Sequence, residues 1–220
     1  MKRHLVTTAD GSHSLRIEDW DEQYHSKHGA VAESLHVFIQ NGLQAIAGNK
    51  LAILEMGFGT GLNAFMSLID AQNRNIDLHY TAVEAFPLKK AEWEVLNYPQ
   101  ILDAVDLARA FDRIHISPWE EPTVIHKDFT LLKHKTEMRS FAVAEAFDLV
   151  LFDAFGYRVQ PELWTSEVFN NMFMSLKTGG ILVTYAAKGV VRRTMQEVGF
   201  QVERLPGPPG KREMLRARKN

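Results

Sequence analysis

The run Glu55-Met56-Gly57-Phe58-Gly59-Thr60-Gly61 holds the densest chemistry in this 220-residue chain. Alternate glycines let a backbone turn tightly and approach a ligand with no side chain intervening. Glu55 closes the apolar run Leu51–Met56 and suits a cationic amino group, such as that on the methionine part of S-adenosylmethionine. The dinucleotide fingerprint G-x-G-x-x-G would need glycine at position 62, where Leu62 stands, and Glu55 would be unhelpful beside a pyrophosphate. Glu84, in YTAVEAF, can accept both hydroxyls of a ribose. Asp128 and Phe129 offer an acceptor for an adenine amino group and a ring to stack on it, although Asp also favours helix caps. Asp153 follows FDLVLF, and Phe155, Tyr157 and Trp164 come soon after. An acid there could orient an amine nucleophile or take its proton, between flat surfaces that flank a base or an amine. The plainer alternative is an Asp capping a loop and a Trp in the core.

These residues need elements to hold them. Leu35, Phe38, Ile39, Leu43 and Ile46 predict an amphipathic helix over 31–46, stopped by Gly48-Asn49. Strand signals at 51–56, 78–83, 122–126, 147–152 and 179–185 alternate with helix signals at 62–71, 88–96, 99–110, 166–176 and 190–198. Such alternation implies a mostly parallel sheet with helices on both faces. The segments 200–204 and 213–217 predict a closing hairpin across PGPPGK. That ending marks the class I methyltransferase arrangement rather than a dehydrogenase. The expected fold is therefore α/β and Rossmann-like, a seven-stranded sheet with a C-terminal antiparallel hairpin.

Length predicts one domain over 1–220, with 1–48 as an N-terminal segment and helix. The absence of cysteine removes disulfides, thiol nucleophiles and cysteine-ligated metals. His25, His28 and His36 fit no metal-binding pattern, so no metal is expected. No stretch resembles a signal peptide or approaches the roughly 20 apolar residues of a membrane span, so a cytoplasmic protein is expected. Net charge is −2, unevenly spread: residues 188–220 carry nine Lys or Arg against three acids, a net of +6 that leaves −8 on the rest. A basic end on an acidic body could hold a polyanion at one rim, or form a solvated terminal face.

At DEQYHSKHGAVAES, LEMGFGTGLN, YTAVEAFPL, LFDAFGYRVQPELWT, LKTGGILVTYAAKGVVRRTMQEVGF and GPPGKREMLRA, the chain resembles the methyltransferase domain family of the tRNA 5-methylaminomethyl-2-thiouridine biosynthesis protein. The resemblance implies methyl transfer from S-adenosylmethionine to the 5-aminomethyl group of the tRNA wobble uridine, reached in the anticodon loop. It implies that Glu55, Gly57, Phe58, Gly59, Gly61, Glu84, Asp128, Phe129 and Tyr24 hold the cofactor. Asp153 would be catalytic beside the acceptor, with Phe155, Tyr157 and Trp164 on the substrate. Lys188, Arg192, Arg193, Lys211 and Arg212 would meet tRNA phosphates. A separate enzyme would supply the aminomethyl intermediate. The family commonly has Asp-Gly-Phe-Ala-Pro where this chain has Asp153-Ala154-Phe155-Gly156-Tyr157. A transferase acting on a small amine, by methyl or aminopropyl transfer, and a non-catalytic RNA- or protein-binding module on the same fold remain alternatives.

Overall fold

The computed structural model describes all 220 residues. The chain opens with β1 (Arg3–Thr7), β2 (His13–Ile17) and β3 (Glu22–Gln23), a small antiparallel sheet. The weak apolar patterning of this opening predicts no strand, yet Leu15 and Ile17 bury fully. α1 (Ala30–Ser34) continues into a π-helical turn over Leu35–Gln40, so the expected 31–46 helix is present but loosened.

The central layer alternates as expected: β4 (Lys50–Met56), α2 (Leu62–Arg74) and β5 (Asp77–Val83) come first. The helices expected over 88–96 and 99–110 shrink to α3 (Lys90–Trp93) and α4 (Tyr98–Ile101) before α5 (Ala108–Ile116). Pro87 and Pro99 limit helical starts, and Asp103 sits at φ 50°, which ends α4. Then come β6 (Thr123–His126), β7 (Phe129–His134), β8 (Phe147–Phe152), α6 (Ser166–Ser175), β9 (Leu176–Thr184), α7 (Gly189–Glu197), β10 (Gln201–Pro206) and β11 (Glu213–Arg218).

The large sheet has eight strands, in the order β6-β7-β5-β4-β8-β9-β11-β10. Neighbours from β7 to β9 pair in parallel, and β11 enters antiparallel between β9 and β10, which confirms the closing hairpin. The strand outside the expected seven is β7, and β6 pairs antiparallel with it at the sheet edge. The strand expected at 122–126 is this edge strand, and the third parallel strand is β7. Its alternating burial includes a lysine, Lys133, which hides it from an apolar pattern.

Strands buried on both faces read as near-continuous apolar runs. In β4, Leu51 and Ile53 join the layer with α2 and α5, whereas Leu54 and Met56 join the layer with α6 and α7. At about 1.5–3 kcal/mol for each fully buried large apolar side chain, these two layers fix which strand ends lie level.

Candidate active site

Register brings three predicted positions to one edge. Met56 is opposite both Val83 and Phe152, so Gly57, Glu84 and Asp153 leave the sheet side by side at its carboxyl edge. After β4 the chain goes to β5 on one side and later to β8 on the other, which makes this a topological switch point, where open α/β sheets bind ligands. Two backbone bonds lock it: Gly57 N–H donates to Val83 O at 3.0 Å and Asp153 N–H to Met56 O at 2.9 Å.

A cavity of about 320 Å³ opens there, within the range of small-molecule sites. Of the residues named from the sequence, Gly57, Phe58, Gly59, Glu84, Asp153, Phe155 and Tyr24 line it, together with Thr60. Gly57 has φ +101°, and an added Cβ would stand 2.6 Å from the Asp153 carbonyl oxygen. Gly61, at φ +72°, caps α2 instead of lining the cavity. Glu84 accepts the N–H groups of Gly59 (3.0 Å) and Phe86 (2.7 Å), which fastens the loop and keeps its carboxylate at the rim. Tyr24 covers Gly59 and meets Phe155 edge-on at 5.0 Å, so the N-terminal sheet roofs the cavity.

Asp153 points into this space. Its Oδ2 accepts the Asn63 amide at 2.9 Å, and Oδ1 has no partner within the chain. Burial, then the nearby Glu33 charge, push its carboxyl up to about 7, against the hydrogen bond from Asn63 and the charge of Lys211. Tyr185 hydroxyl donates to Ala154 O at 2.8 Å and fixes the next residue of the loop.

Several expected residues lie elsewhere. Asp128 is in the turn between β6 and β7, at the amino end of β7 and therefore on the opposite edge of the sheet. Phe129 is buried and stacks on Tyr80 at 5.6 Å. Neither reaches the cavity; Glu137, Met138 and Arg139, beyond the other end of β7, line it instead. Glu55 is fully buried beneath the glycine loop, on the α2 face of β4, and its oxygens do not open to the cavity. Burial, then the Asp153 charge, raise its carboxyl well above the usual range. Trp164 is buried against Phe152 and Phe169, and its indole N–H donates to Phe155 O at 2.9 Å, so it braces the loop without touching a substrate.

Tyr157 stands outside the main cavity, in a shallow basin with Lys188, Lys211 and Arg212. Lys211 is engaged internally: it pairs with Glu33 and lies 3.6 Å from the Tyr185 ring centroid. Lys188, Arg192, Arg193 and Arg212 form no ion pair with any carboxylate of the chain. His25, read only against a metal pattern, lines the cavity and bonds Ser14 Oγ at 2.9 Å. Asn63 carried no spacing signal at all.

The chain fits the adenosyl donor at this edge on three grounds: the close glycine turn, the Glu84 carboxylate at the β5 end and the acid beside them. Residues 121–220 match the profile of a family of S-adenosyl-L-methionine-dependent methyltransferases. The chain is 33% identical over 211 residues to the tRNA 5-methylaminomethyl-2-thiouridine biosynthesis bifunctional protein of Cupriavidus necator, covering 89% of this chain and 31% of that protein. It is 32% identical to the protein of the same name from Aromatoleum aromaticum, over 97% of this chain and 35% of that one. The chain thus spans about a third of the length of these curated relatives. The crystal structure of MNMC2 from Aquifex aeolicus superposes with a TM-score of 0.81 at 25% identity, over the whole of this chain and 70% of that one.

Proposed function

We propose that this chain, which belongs to the family of S-adenosyl-L-methionine-dependent methyltransferases, methylates the 5-aminomethyl group of the tRNA wobble uridine. One observation carries the reading. Register sets a carboxyl with one unpartnered oxygen, Asp153, beside a glycine turn at the switch point, inside the cavity. The names of the relatives point to the same acceptor, and a surface of free cations suits a polyanion.

When bound, S-adenosylmethionine supplies an electrophilic methyl group on sulfur. Gly57 and Gly59 would let the backbone approach it, Glu84 would hold ribose hydroxyls, and Tyr24 and Phe155, which line the cavity, would exclude water. An ammonium acceptor has no free electron pair, so it must first lose a proton. The ionised Asp153 pairs with it through Oδ1 and takes that proton. The freed nitrogen pair would then accept the methyl group that S-adenosylmethionine supplies, the S–CH3 electrons staying on sulfur. One proton leaves per turnover, by way of Asp153 to solvent. Phe155 offers a face for the presented base, which a single-stranded loop can unstack at modest cost. Lys188, Arg192, Arg193 and Arg212 would take phosphates.

The direct test is transfer of labelled methyl to bulk tRNA lacking this modification, followed by nucleoside analysis. Label in methylaminomethyluridine supports the proposal. No label, with S-adenosylmethionine still bound by calorimetry, overturns the acceptor and sends the search to another amine. Asp153→Ala should keep cofactor affinity and lose on the order of 100-fold or more in turnover. Equal loss of both would make Asp153 a cofactor ligand.

A further inference from the structure

Asn63 is the second residue of α2, and side chains in the first helical turn lean back toward the N-terminus. That lean carries its amide under the glycine loop to the cavity wall. Ser34, from α1, donates its hydroxyl to Asn63 Oδ1, and both residues are buried. With Oδ1 occupied as an acceptor, the other end of the amide must be the donor, and it is this Nδ2 that reaches Asp153 Oδ2.

We propose that Asn63 is the positioning residue for Asp153: oriented by Ser34, its amide holds one carboxylate oxygen and leaves the other to face the acceptor amine. The proposal rests on Asp153 being the proton acceptor. An amide N–H can only donate, so it favours the ionised carboxyl over the neutral acid. It also stands between two acids, since Asn63 lies beside Glu55 as well. The groups around Asp153 come from several elements. Burial and Glu33 on α1 oppose its ionisation, and Lys211 in the β10–β11 turn favours it; Glu55 on β4 is itself raised by the Asp153 charge. Tyr80 on β5, Tyr98 on α4 and Tyr185 after β9 also feel its charge. Of all these, Asn63 alone hydrogen-bonds the carboxylate. Removing it leaves burial and Glu33 opposed by Lys211 only.

The test titrates the full chain labelled with [13Cγ]aspartate, and Asp153 is assigned by the resonance missing in Asp153→Asn. Asn63→Ala should raise the Asp153 midpoint by on the order of one pH unit. Ser34→Ala, which only frees the amide to rotate, should raise it less. With tRNA bearing 5-aminomethyluridine as acceptor, Asn63→Ala should lower kcat about tenfold and move the acid limb of the rate profile upward by the same shift. KM for tRNA and calorimetric affinity for S-adenosylmethionine should stay within about twofold. If Asn63→Ala does not fold, Ser34→Ala decides alone. An unmoved midpoint, or cofactor affinity lost in step with kcat, overturns the proposal. Failure of the underlying reading looks different: Asp153→Asn would itself keep turning over, while the midpoint shift remained.

Discussion

Asp153 is an acid whose ionisation the fold opposes. An unfolded chain releases this proton near the ordinary 3.8, whereas the folded chain holds it to about 7. Between these values the unfolded state binds fewer protons, so stability falls as pH rises through the window, and above 7 the loss is complete. Asp153→Asn removes that cost. At pH 8 the variant, without ligand, should melt on the order of 5 °C above the parent, and near pH 4 the gap should close. A scan of melting temperature against pH checks this, and an equal gap at both pH values would contradict it. As the proposed proton acceptor, the same acid should set the pH dependence of activity: turnover should rise with pH through about 7, as the ionised form appears. A residue placed for chemistry is thus placed at some expense to the fold.

At the scale of elements, the decisive unit is β4, its glycine turn and α2. Gly57 must hold a positive φ while its Cα approaches the Asp153 backbone. Gly57→Ala adds a Cβ that meets a carbonyl at 2.6 Å, and neither strand end can retreat, because β4 and β8 are bonded in register. The expected result is a loss of about 1–3 kcal/mol in stability together with S-adenosylmethionine affinity, read by denaturation and calorimetry. Unchanged cofactor affinity would show that the turn is not its seat. Lys133 supports the same unit from beneath. Its Nζ donates to Ile114 O and His115 O, both at 2.8 Å, at the end of α5, and lies 5.5 Å from the centroid of the Phe58 ring. Burial lowers it to about 8.

Over the whole molecule, not every cation of the basic end is available. Lys211 spends its charge on Glu33 and ties the C-terminal hairpin to α1. Lys188 just before α7, Arg192 and Arg193 within it and Arg212 in the hairpin turn pair with no carboxylate. Under the proposed function, each of Arg192→Ala, Arg193→Ala and Arg212→Ala should weaken tRNA binding and lower the salt slope by about 0.7–0.9, with cofactor affinity unchanged. An unaltered slope in all three would move the tRNA surface elsewhere. No helix is long and apolar enough to cross a membrane.

The local sequence determined the parts whose cause is local. Apolar runs closed by an acid or a glycine marked β4, β5 and β8, and so the positions of the glycine turn, Glu84 and Asp153. A turn between two short runs marked the final hairpin. Tertiary structure decided what depends on pairing and depth. Whether 123–126 or 129–134 is the third parallel strand is a matter of partner, which composition does not encode, and that choice removed Asp128 and Phe129 from the site. Strand parity, read through three dimensions, turned Glu55 under the loop. Asn63 owes its role to Ser34 and Asp153, 29 and 90 positions away, and a hydrogen bond across such distances leaves no periodic trace in the chain.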